Sequence, residues 1–122
     1  MLPFRLVERE INGEARELLV EGELDLGVAE QLRAALEKDP NCTQILIGLE
    51  NCEFIDSTGI AVIVQAHCRL AERGGRIALY APTRQVRRIL SVTGLTENGL
   101  VFESAAEALA ASTSTAPALD AR

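Results

Sequence analysis

The run Ile45-Leu46-Ile47-Gly48-Leu49 constrains the fold more than any other stretch. A short, unbroken apolar segment of this kind reads as a strand buried on both faces. Helical and strand patterns then alternate along the chain. After Glu50 to Ile55, read as a turn and entry segment, a long helix starts with Asp56 or Ser57 as its cap. It runs to Arg73, where Gly74-Gly75 ends it, and Arg76 to Tyr80 forms the next strand.

The flanking segments continue the alternation. Phe4 to Arg9 alternates apolar and charged residues, as a half-buried strand does. Asn12-Gly13 predicts a type I′ hairpin turn, with positive φ at both central residues, and Ala15 to Val20 is the return strand. Val28, Leu32, Ala35 and Leu36 recur at helical spacing, and Asp39-Pro40-Asn41 stops that helix. A third helix follows Ala81-Pro82-Thr83, carries Val86, Ile89 and Leu90 on one face, and has Gly94 at its end. Leu100 to Phe102 reads as a short last strand and Ser104 to Ala111 as a short last helix.

The order β-β-α-β-α-β-α-β-α predicts an α/β fold in a single domain over residues 1–111. Its sheet is mixed and mostly parallel, with about five strands, an N-terminal antiparallel hairpin and about four helices. Pattern alone leaves open whether the helices cover one face of the sheet or both. Residues 112–122 are rich in Ser, Thr, Ala and Pro without periodicity, and are expected to form a disordered tail.

Composition narrows the function. Lys plus Arg total 12 against 18 for Asp plus Glu, a net charge of -6, which disfavours a nucleic-acid binder. Aromatic residues make up 3% of the chain, which removes the stacking platforms of single-strand binders. Met1 to Arg9 has no apolar signal-peptide core, and the longest apolar run, Ile60 to Val64, is broken by Gln65. Cys42, Cys52 and Cys68 are odd in number and lack a CxxC pair, so neither a disulfide framework nor a zinc site is indicated. They read as small apolar fillers in a reduced, cytoplasmic protein with no membrane partner; a redox role is left open.

Chemistry concentrates at Phe54-Ile55-Asp56-Ser57-Thr58-Gly59-Ile60, where three consecutive polar residues open a helix. The first-turn N–H groups lack helical acceptors and favour an anion, so a phosphoryl group on Ser57 would be tolerated there. Asp56 opposes it by like-charge repulsion, and on the residues alone a plain helix cap is the favoured account of the pattern. A second candidate is the loop Gly22-Glu23-Leu24-Asp25, which follows a strand end and can share an acidic rim with Ser57; a solvated acidic turn accounts for it equally.

His67 falls with Ile60, Ile63, Val64 and Ala71 on the apolar face of the long helix and reads as a neutral, partly buried histidine. It lies about 15 Å along the helix axis from Ser57, which excludes a nucleophile–base pair. Arg84, Arg87 and Arg88 form a basic stripe, read as a solvated face or a docking face for an acidic partner.

Gly22-Glu23-Leu24-Asp25 with its Ala-x-x-Leu helix, Phe54-Ile55-Asp56-Ser57-Thr58-Gly59, Gly74-Gly75, Pro82 and Thr93-Gly94-Leu95 together resemble the STAS domain. More closely, they are similar to the bacterial anti-sigma-factor antagonists, over about residues 4 to 110. The resemblance implies a STAS-like fold and a phosphorylatable serine at Ser57. It also implies a partner-binding surface formed by Glu23, Asp25, Asp56, Ser57, Thr58, Gly59 and Ile60. The implied partners are an anti-sigma factor with serine kinase activity and a serine phosphatase. ATP belongs to the kinase, so no cofactor is expected; the chain is read as a binding protein rather than an enzyme, and as a monomer. Gly27-Val28 stands where the family often has a polar cap such as Thr, which implies a first helix less well capped. Ala61 replaces a frequent glycine. The rival reading is a non-phosphorylated STAS subunit docking on the ATPase of a transport complex.

Overall fold

A computed structural model describes residues 3–111 of the chain; the tail expected over 112–122 lies outside the described residues. Nine elements follow in order. They are β1 (Arg5–Glu10), β2 (Ala15–Leu24), α1 (Ala29–Glu37), β3 (Gln44–Ile55), α2 (Ser57–Ala71), β4 (Arg76–Tyr80), α3 (Arg84–Val92), β5 (Val101–Phe102) and α4 (Ala105–Ala111). The sheet runs β1-β2-β3-β4-β5. β1 pairs antiparallel with β2, and every later pairing is parallel. This is the α/β architecture that the alternation of patterns predicts.

The strand pattern explains how the two faces are filled. Ile45, Ile47 and Leu49 of β3 alternate inward with Leu18 and Val20 of β2 and Ile77 and Leu79 of β4. They meet Leu32 and Leu36 of α1, Ile63 and Leu70 of α2, and Val86 and Leu90 of α3 in the main core. The other face is smaller: Leu46, Ala78 and Tyr80 pack with Ala108 of α4. Three helices thus cover one face and α4 the other.

Three local expectations change. First, Glu50 to Ile55 is not a turn. β3 continues to Ile55, pairing with β2 alone past Gly48↔Tyr80, through Glu21↔Asn51, Gly22↔Cys52, Glu23↔Phe54 and Leu24↔Ile55. Two register shifts put extra residues into β3 and break the period-two alternation, and Gly22 adopts φ +87 at the second of them. β2 correspondingly runs on past Val20 to Leu24.

Second, Asn12-Gly13 does not form a type I′ turn. Gly13 is not among the residues of positive φ. The Asn12 side chain instead accepts the N–H groups of Glu14 at 2.8 Å and Ala15 at 3.0 Å, an Asx-type turn within a longer loop. Third, the last strand starts at Val101 rather than Leu100.

His67 is 1% exposed, and its Nδ1 accepts the Ile77 N–H at 3.1 Å. β5 is too short to pair this part of β4, so the imidazole satisfies a buried donor that the sheet leaves over. Arg76 works beside it: its Nη2 donates to the Gly99 carbonyl at 2.8 Å, and its guanidinium lies 5.4 Å from the Phe102 ring centroid. Burial holds the Arg76 guanidinium below its ordinary pKa.

Candidate functional site

The parallel strands β2 and β3 both end at one rim, Leu24 beside Ile55, so the loops that follow them are neighbours. Asp56 occupies the junction between β3 and α2. It has φ -105 and ψ -179, extended backbone as an N-cap requires, and its Oδ1 accepts the Gly59 N–H at 3.0 Å. Its own N–H donates to the Leu24 carbonyl at 3.1 Å. Its Oδ2 accepts the Leu26 N–H at 3.2 Å. One carboxylate therefore caps α2 and ties down the β2–α1 loop.

That loop is closed on itself as well. Asp25 Oδ1 accepts the Gly27 N–H at 3.0 Å and the Asp25 carbonyl accepts the Val28 N–H at 3.1 Å. Val28 then starts α1 with no side-chain cap, as the missing polar residue at this position implies. Leu26 stands on the loop 73% exposed.

The choice of Asp56 as cap decides the state of Ser57. Ser57 becomes the first residue of α2 and is exposed, and its hydroxyl makes no hydrogen bond among the described residues. The N–H groups of Ser57 and Thr58 have no intrahelical acceptor, which leaves partial positive charge beside the hydroxyl. Thr58 is half-buried.

Of the residues expected at a partner-binding surface, Asp25, Asp56, Ser57 and Thr58 come together at this rim. Glu23 is half-exposed and takes no part in its hydrogen bonds. Gly59 and Ile60 are buried, so they hold α2 in place instead of presenting a surface. A Cβ on Gly59 would stand 2.9 Å from Leu24 Cγ and 3.0 Å from the Leu24 carbonyl oxygen. The glycine is thus what lets α2 begin directly against the end of β2.

Leu26 is the rim residue that the sequence pattern does not single out; its one signal is an apolar residue inside a polar loop. No group of three His, Cys, Asp or Glu side chains suited to a metal occurs among the described residues. No helix among them is long and apolar enough to cross a membrane.

The fold and rim define a small α/β domain that offers an uncommitted hydroxyl at a helix N-terminus. A family model described as the Mlab, STAS domain matches residues 7–103, and the chain belongs to the STAS-domain family. An anti-sigma F factor antagonist of Paenibacillus polymyxa is 28% identical over 91 residues, 72% of this chain and 78% of that protein. A Thermotoga neapolitana relative is 36% identical over 66 residues, which spans 54% of this chain and 58% of the relative. The anti-sigma factor antagonist SpoIIAA, unphosphorylated, matches with a TM-score of 0.73 at 27% identity, covering 88% of this chain and 93% of that one. The phosphorylated form of this Bacillus cell-fate determinant matches with a TM-score of 0.68 at 25% identity, covering 88% and 97%.

Proposed function

We propose that this chain is an anti-sigma-factor antagonist switched by phosphorylation of Ser57. Unphosphorylated, it binds an anti-sigma factor that is also a serine kinase, and so frees a sigma factor. The kinase modifies Ser57 and a serine phosphatase restores it. The observation that carries this reading is the division of labour at the helix start: Asp56 does the capping, so the Ser57 hydroxyl is exposed and free of structural duty. The kinship with antagonists, one of them known in unphosphorylated and phosphorylated forms, supports it.

The energetics suit a switch. A phosphoryl group adds roughly -1.5 to -2 charges at pH 7. In the free protein, solvent and the open N–H groups of α2 accommodate it. Under a partner, beside the Asp56 carboxylate, it must be desolvated with no new cation. A loss of about 3 kcal/mol there lowers affinity by roughly two orders of magnitude.

The test is incubation of the chain with Mg-ATP and each purified anti-sigma factor of its source, followed by mass-spectrometric mapping. One phosphate on Ser57, absent from Ser57→Ala, is expected. Phosphate on another residue contradicts the reading. An unmodified chain that co-purifies with a transporter ATPase would establish the rival docking role.

A further inference from the structure

Helix α3 carries charge where helix electrostatics disfavours it. Arg84, Arg87 and Arg88 fill its first two turns, and the first turn holds no acidic residue. Cations near a helix N-terminus oppose its dipole, and Arg84 and Arg88, four residues apart, repel each other. Arg87 is relieved by Glu103 at 3.0 Å. The guanidinium groups of Arg84 and Arg88 have no ion pair or hydrogen bond among the described residues, although the chain carries 18 acidic side chains. Local rules broken without a compensating gain within the fold mark places where function sets the sequence.

Three further observations fall on the same face. Val86 and Leu90 point into the core, so Arg84, Arg88 and Val92 line the opposite, outward stripe. Val92 is 83% exposed, the most exposed large apolar side chain among the described residues. Beside the stripe runs an open groove of about 390 Å³, lined by Arg84, Arg87, Arg88, Ser91, Val92 and Thr96. Thr96 Oγ1 in this groove is buried and has no hydrogen-bond partner, a costly state for a hydroxyl.

We infer that the α3 groove docks an acidic, amphipathic segment of another protein. Its carboxylates pair with Arg84 and Arg88, and one aliphatic side chain covers Val92. Guanidinium forks fit carboxylates in bidentate geometry. A nucleic acid fits poorly, because the net charge of -6 repels a polyanion and the groove has no aromatic side chain. None of these residues belongs to the Ser57 rim, so the inference stands or falls separately from the phosphorylation reading.

The test is a titration of the full, ¹⁵N-labelled chain with three probes. These are a synthetic helical peptide bearing glutamates four apart around a central leucine, polyglutamate of equal length, and a short single-stranded oligonucleotide. The amphipathic peptide is expected to shift amides of residues 84–96 and to bind about tenfold or more tighter than polyglutamate, the factor that about 1.4 kcal/mol supplies. Arg84→Glu/Arg88→Glu should abolish the shifts, Arg84→Gln/Arg88→Gln should weaken binding less, and Val92→Ser should weaken it severalfold. All three sites are exposed, so the variants keep a dispersed spectrum. No shift, shifts elsewhere, equal binding of polyglutamate or oligonucleotide, or full binding by the double reversal would overturn the inference.

Discussion

Asp56 and Leu26 are joined across thirty residues of chain by one hydrogen bond, the Leu26 N–H to Asp56 Oδ2 at 3.2 Å. The bond makes the two loops of the rim a single unit. The exposed Leu26 side chain and the exposed Ser57 hydroxyl are therefore held in a fixed relation before any partner arrives, which reduces the ordering cost of binding.

Removal of that carboxylate should loosen both loops. Asp56→Ala deletes the cap of α2 and the acceptor for Leu26, and is expected to cost about 2 kcal/mol in urea denaturation. Asp56→Asn keeps one acceptor oxygen and should cost about 1 kcal/mol. In hydrogen exchange, the Leu26 and Gly59 amides should both speed up in Asp56→Ala. Unchanged protection of Leu26 would contradict the strap.

Tyr80 should stay protonated well past the ordinary phenol range. It is the single tyrosine of the chain and the chain has no tryptophan, so absorbance near 295 nm reports it alone. Its ring crosses Gly48, where a Cβ would lie 2.7 Å from the hydroxyl, to donate to Glu17 Oε2 at 2.5 Å. Burial first, then the Glu17 hydrogen bond and charge, push its pKa up from 10.0. A raised folded pKa means the folded state holds more protons than the unfolded state above that pH. The contribution is thus complete below pH 10.0 and is lost as pH rises beyond it. Tyr80 is expected to ionise together with alkaline unfolding; a separate titration near its ordinary pKa in folded protein would refute the arrangement.

The thiols should differ sharply. Burial pushes Cys52 from 9.0 up to about 11, and raises Cys42 as well. Both sulfurs also donate to carbonyls, of Phe54 and Gln44, each at 3.3 Å. Cys68 is only half-buried. A thiol reagent at neutral pH should label Cys68 first and reach Cys42 and Cys52 only on unfolding. The Cys52 shift has the same sign as that of Tyr80, so stability should begin to fall above pH 9.0. Rapid labelling of all three thiols in folded protein would contradict this.

The features legible in the sequence are those carried by dense local patterns. The apolar run from Ile45 to Leu49, the helical spacing after Ser57 and the Gly74-Gly75 stop each act over a few residues, and the fold class follows from their order. The extension of β3 to Ile55 was hidden because Glu50, Asn51 and Glu53 are exposed and only β2 pairs there. The Asn12 turn was hidden because the residue can use either its backbone or its side chain, and the register Glu10↔Arg16 leaves a loop too long for a two-residue turn. The cap at Ser57 was readable only as a choice between neighbours, since both can cap a helix. Leu24, packed against Gly59, decides it by accepting the Asp56 N–H and seating that residue at the junction.

Ser57 carries the functional claim, and affinity tests it most directly. Wild type, Ser57→Asp and the Ser57-phosphorylated chain should be titrated calorimetrically against the anti-sigma factor that modifies the protein. The account predicts that phosphorylation weakens binding by roughly a hundredfold, which corresponds to about 3 kcal/mol. It predicts that Ser57→Asp weakens binding in the same direction, with thermal stability nearly unchanged in both forms. Equal affinity of the phosphorylated and unmodified chains would contradict it.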